Sequence, residues 1–223
     1  MAFAASPSAA PAPLSRHVGE TVRLALPIIA SRAGLILLVT VDTVMTGWAG
    51  ADELAYLAVG IAPQLTLMLM AVGGLQATAV LAARAVGAGE GWRAGEVLRT
   101  GLVHAFLVGL LIAAGTAFAE ELFLHLGQPP AIAGGAARVS MAFAYGLPGL
   151  LMYIVAGMFL EATGRPAVPT AIILAANVVN VPLNAVLVLG YGGVVPPMGA
   201  EGAVIGSSML RTAAFFAAFA AIL

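Results

Sequence analysis

Cysteine is absent, and so is lysine: all nine basic residues of the 223-residue chain are arginine. Without cysteine there is no disulfide, no thiolate metal site and no cysteine nucleophile. Charge of either sign is scarce. Only 9% of the residues are charged, against roughly 25% in soluble domains. So few charges cannot cover a water-facing surface, so lipid must be the solvent along much of the chain. A net charge of −1 offers no basic face, which argues against nucleic acid as a partner. The start, MAFAASPSAAPAPLSRHVGE, lacks both the early basic residue and the apolar segment of a signal peptide. Its Pro- and Ser-rich composition predicts a disordered cytoplasmic tail over residues 1–20.

What the chain does have is apolar length: 61% of it is hydrophobic. Six stretches reach the about 20 residues that a helix needs to cross a bilayer. They lie near 24–48, 54–83, 100–119, 132–159, 167–189 and 202–223, separated by charged or Gly/Pro-rich breaks. The runs lack strict alternation, and lipid demands that backbone polar groups pair within the spanning element, so each reads as a helix. The expected fold is all-α: a polytopic membrane protein whose residues 21–223 form one six-helix bundle.

The arginines orient that bundle. Arg16, Arg23, Arg84, Arg93, Arg99 and Arg165 fall in the tail, the second–third break and the fourth–fifth break, and the alternate breaks contain none. This bias places the N-terminus in the cytoplasm of a multi-pass protein of the plasma membrane. Arg32 and Arg138 can snorkel toward an interface, whereas Arg211 has no evident place. The last span ends in AAFAAIL without a polar cap. Many transporters combine two similar bundles, so a second six-helix lobe is the expected partner; the alternative is a genuine six-helix protein. Glycines inside the spans, such as Gly73, Gly74, Gly109 and Gly157, are read as close helix packing.

Polar groups inside the spans are the candidates for function. Asp42 sits in LILLVTVDTVMTGWAG, two-thirds along the first span. A charge at mid-bilayer costs about 2.5–3.5 kcal/mol on insertion scales, so Asp42 should face the bundle interior or a wet cavity. A group that can be protonated or can hold a cation is what ion coupling needs; the alternative is a structural carboxylate bonded to helix backbone. Asn177, Asn180 and Asn184 are spaced +3 and +4 and share one face of the fifth span. Their oxygens can coordinate a small hard cation, or their amides can bond Asp42; the alternative is interhelical adhesion. Pro182, within the stripe, bends the helix and frees a carbonyl. Gln64, Tyr153, Asn177 and Ser207 are weaker candidates, for lining a substrate cavity. Met68, Met70, Phe143 and Phe159 are read as adaptable apolar surface. His104 and His125 form no ligand pattern, GAGEGW is no phosphate loop, and no nucleophile–base pair stands out. No enzymatic activity and no cofactor are expected.

Four stretches carry a resemblance: LALPIIASRAGLILLVTVDTVMTGWAG, AARAVGAGEGWRAGEVLRTG, FLEATGRPAVPTAIILAANVVNVPLNAVLVLG and GGVVPPMGAEGAVIGSSM. Together they resemble the multidrug and toxic compound extrusion (MATE) transporters, in the form of the NorM-like branch, over roughly residues 20–223. The resemblance implies one lobe, the N-terminal half, of a twelve-helix antiporter. It further implies export of organic, often cationic, compounds in exchange for Na⁺ or H⁺ across the bacterial inner membrane. The family's first-helix Asp matches Asp42, its fifth-helix pair matches Asn180 and Asn184, and a sixth-helix hydroxyl loosely matches Ser207. Asn184 is an amide where some members have a carboxylate. Two rival readings stand beside this one. A related lipid-linked oligosaccharide flippase would need Arg32, Arg138 and Arg211 to converge on a central cavity. A non-transporting scaffold would show the asparagines serving packing alone.

Overall fold

The structure is a computed structural model that describes residues 14–193 and 195–223. The helices are α1 (Leu14–Ala49), α2 (Ala51–Gly87), α3 (Gly91–Gly115), α4 (Ala119–His125), α5 (Pro130–Ala162), α6 (Ala167–Leu187) and α7 (Gly199–Ile222). Short 3₁₀ turns occupy Thr116–Phe118 and Tyr191–Gly193, and no strand occurs among the described residues. The first turn joins α3 to α4, so together they make the third of six helices long and apolar enough to span a membrane. Residues 1–13 of the expected tail lie outside the described residues. The rest of it, from Leu14, is already helical in α1. A continuous helix here needs no terminus at residue 20, because the apolar run that follows gives the helix a lipid-facing surface to extend from.

The breaks are shorter than the sequence suggests. α1 and α2 are joined by Gly50 alone, whose φ of 149° is one that glycine adopts readily. The acids expected in that loop instead open α2: Asp52 and Glu53 stand in its first turn, where the helix dipole favours negative charge. Glu53 has a second role. Its Oε2 accepts the Ala200 N–H at 2.7 Å and so caps the start of α7.

Helix α5 is the centre of the bundle. Its most apolar window is 72% buried, against 18% for the first span. It packs mainly on α2, α3 and α7, and the contacts are made through small residues. A Cβ on Gly60 of α2 would stand 2.6 Å from the Ala136 carbonyl oxygen, and one on Gly109 of α3 would stand 2.6 Å from Pro148 Cα. Gly146 and Gly149 of α5 press on Ser208 and Thr212 of α7 in the same way. In lipid no hydrophobic force drives helices together, so backbones must approach closely for dispersion to hold them. The packing reading therefore holds for Gly109. Gly73 and Gly74 face open space instead, and Gly157 is in ordinary contact with Pro169.

Helix α1 lies on α6, with α7 and α2 alongside. Side chains of α6 reach its backbone: Thr170 donates to Pro27 O at 2.6 Å and Asn177 to Gly34 O at 2.9 Å. The outer surface is apolar, with Ile36, Leu69, Met70, Leu111 and Val178 exposed. That is the surface a bilayer requires.

Candidate functional site

The apolar run around Asp42 forces helix, and its 3.6-residue period puts Asp42 and Thr46 on one face. That face turns inward, toward α6 and α7. Asp42 is 5% exposed, and Asn180 and Asn184 are fully buried. The two amides meet the carboxylate directly. Asn180 Nδ2 donates to Asp42 Oδ1 at 2.9 Å, and Asn184 Nδ2 donates to the same oxygen at 2.7 Å. The +4 spacing on α6 is what allows both to reach one atom of α1. Asp42 is therefore not bonded to helix backbone through that oxygen, which was the alternative the sequence left open.

Helix α7 completes the site. Ser207 and Arg211 line the same small cavity as Asp42, with a volume of about 20 Å³. The Ser207 hydroxyl donates to Val204 O at 3.3 Å, and Arg211 faces the carboxylate across the cavity without a direct ion pair. About 10–15 Å³ is enough for one water, so a single molecule fits. Arg211 is buried, with its guanidinium carbon 5.5 Å from the centre of the Phe143 ring of α5. Several buried polar atoms have no hydrogen-bond partner in the protein: Thr46 Oγ1, Asn180 Oδ1, Asn184 Oδ1 and Arg211 Nε. Unpaired polar atoms are costly away from water, and four of them lie on the helices that meet at Asp42.

Comparison with known proteins gives the family. The MatE family model matches residues 27–186. The chain belongs to the MATE family. It is 35% identical to a probable multidrug resistance protein NorM of Caulobacter vibrioides over 202 residues, 90% of this chain and 43% of that protein. It is 32% identical to a probable multidrug resistance protein NorM of Bradyrhizobium diazoefficiens over 201 residues, again 90% and 43% of the two chains. The chain thus spans less than half the length of the curated relatives it matches. Among solved structures, the eukaryotic MATE transporter AtDTX14 superposes with a TM-score of 0.86 at 19% identity, covering 93% of this chain and 46% of that one. This likeness establishes a MATE fold.

Within this MATE bundle, the sequence candidates separate. Asp42, Asn180, Asn184 and Ser207 come together. Asn177 does not join them: its Nδ2 donates to Gly34 O and to Ile173 O, tying α6 to α1. Tyr153 donates to Pro169 O at 3.0 Å, between α5 and α6. Gln64 is buried in α2 with its Oε1 unpartnered, and it does not line the Asp42 cavity. Thr46, one turn on from Asp42, is buried with its hydroxyl unpartnered but does not line that cavity. One member of the site was missed. Arg211 carried the signal of a charge deep in a span, but nothing in its own helix named its partner.

The three arginines that a flippase would need do not converge. Arg32 pairs with Glu161 at 3.2 Å, Arg138 lies 3.7 Å from Glu201, and Arg211 stands beside Asp42. Each has a different acidic neighbour, so these three assemble no cationic centre for phosphate.

Proposed function

We propose that this chain is one six-helix lobe of a secondary active antiporter that exports organic, often cationic, compounds in exchange for Na⁺ or H⁺. The proposal places it in the bacterial inner membrane with its N-terminus cytoplasmic, working with a second six-helix lobe. One observation carries the reading: a buried carboxylate on α1 is answered by two amides of α6 and sits at a cavity with unpartnered polar atoms around it. Such a group can change its charge state by taking up an ion, and the cluster joins three helices, so a change there bears on how α1, α6 and α7 pack. Each inward-moving charge supplies about 2.3 kcal/mol per 100 mV. Pro27 and Pro182 lie inside α1 and α6, where they weaken the helix ladder and permit bending. The MATE fold and the drug-resistance names of the relatives support the class of cargo; the arginine bias supports the orientation.

The test is Asp42→Asn in the two-lobe protein, assayed by efflux of a fluorescent organic cation from cells or vesicles with an imposed ion gradient. Gradient-driven efflux should fall at least about tenfold, equivalent to about 1.4 kcal/mol or more. Undiminished efflux with unchanged ion dependence would overturn the reading.

A further inference from the structure

An ionised carboxylate in a membrane span needs a counter-charge as well as hydrogen bonds. The amides of Asn180 and Asn184 supply hydrogen bonds but no charge. Around Asp42, α6 presents these two amides, and α2 and α5 present only apolar side chains to the cavity, Phe143 among them. Helix α7 presents Ser207 and Arg211. Among the described residues, Arg211 is therefore the one other charged group lining that cavity. A guanidinium does not lose its proton in proteins, and its planar face suits the aromatic ring of Phe143, which holds it at 5.5 Å.

A hard metal cation is bound by several oxygens at once. The cluster is turned against that. An ionised carboxylate only accepts hydrogen bonds, so both amides direct their NH₂ groups at it and their oxygens elsewhere. A Cβ on Gly206 would stand 3.3 Å from Asn184 Oδ1, so that oxygen looks toward the backbone of α7. A metal ion would have to turn both amides, remove both donors from Asp42 Oδ1 and sit beside a resident positive charge. A proton needs no coordination shell. It adds to the second carboxylate oxygen, arriving through a water that the cavity has room for, and leaves the amides in place. The Asp42–Arg211 pair then goes from net zero to net +1, and Arg211 is freed from its counter-charge.

We propose that Arg211 is a specificity-determining residue of the Asp42 site: a tethered cation that holds the place of a metal ion, so that the site excludes Na⁺ and exchanges H⁺. This inference rests on the exporter reading and narrows it. Its test is thermal unfolding of the purified two-lobe protein in NaCl and in KCl at equal ionic strength and fixed pH. The proteins are the unsubstituted one, Arg211→Gln and Arg211→Lys, each with and without Asp42→Asn. The unsubstituted protein and the Lys variant should show no Asp42-dependent difference between the two salts. Arg211→Gln should acquire a Na⁺-specific rise in midpoint that Asp42→Asn abolishes, with apparent Na⁺ affinity up at least about tenfold, because a like charge has left the site.

An Asp42-dependent Na⁺ effect in the unsubstituted protein overturns the proposal. So does a folded Arg211→Gln that gains none. Should Arg211→Gln not fold, the unsubstituted protein and the Lys variant still decide: an Asp42-dependent Na⁺ effect in either sinks the proposal, and its absence in both, with Asp42-dependent proton release when the fluorescent organic cation of the efflux assay is added, supports it. The salt comparison involves no transport. Efflux that ignores Asp42→Asn would refute the exporter reading while leaving the role of Arg211 legible.

Discussion

The α1–α6–α7 side of the bundle and the α2–α3–α5 side hold together by different means. The second is the drier in its helix-to-helix contacts, although Gln64 is buried there with its Oε1 unpartnered and a cavity of about 1120 Å³ opens between α2 and α3. Gly60, Gly101 and Gly109 let backbones and methyl groups meet, and among the described residues the long-range side-chain bond there is Ser140 Oγ to Gly60 O at 2.6 Å. The first is knit by polar groups, several with atoms left unpaired. In lipid the dry solution suffices for stability, so the polar one needs another reason. The difference teaches where to look for function: at the side where unpartnered polar atoms gather on the helices around a buried carboxylate.

The largest break in this comparison comes from unpairing the buried charges. Arg211→Met should destabilise the bundle by about 3–5 kcal/mol, because Asp42 is left without its counter-charge. Adding Asp42→Asn should restore most of the loss, and a double-mutant cycle of thermal or denaturant unfolding in detergent measures the coupling. Additive losses would mean that the two charges do not depend on each other.

A smaller effect is expected on the drier side. Gly60→Val places new atoms against the Ala136 carbonyl and Val139 and should cost about 1–3 kcal/mol by overpacking, with the ion dependence of efflux unchanged. A changed ion dependence would show that the two sides are not separable. Smaller still is the loss of one bond. Ser140→Ala should cost about 0.6 kcal/mol, the usual worth of an interhelical hydrogen bond in a membrane, read as a slight fall in unfolding midpoint. Last comes Glu161→Gln, which removes the partner of a partly exposed arginine and should change stability by about 1 kcal/mol or less.

Much of the candidate site was legible because an apolar background makes any polar residue conspicuous. Asp42 stood out by its cost, and Asn180 and Asn184 by sharing a face. Asn177 stood out equally, yet its amide serves α1 backbone. Position on a helix face does not distinguish a neighbour's carbonyl from a neighbour's carboxylate. The breaks were read too long for a related reason: charges such as Asp52, Glu53, Arg84 and Arg93 look like loop residues but sit in terminal helical turns. There the helix still runs while the environment is already polar.

The chain alone determined its solvent, its six helices and the acid that lipid would not tolerate unaccompanied. Those follow from local hydropathy and a helical period, which every residue carries with it. Which group accompanies that acid was decided only in the fold. Arg211 is 169 positions from Asp42 along the chain. It becomes a neighbour because α7 packs alongside both α1 and α6, and no pattern within a single helix encodes that crossing.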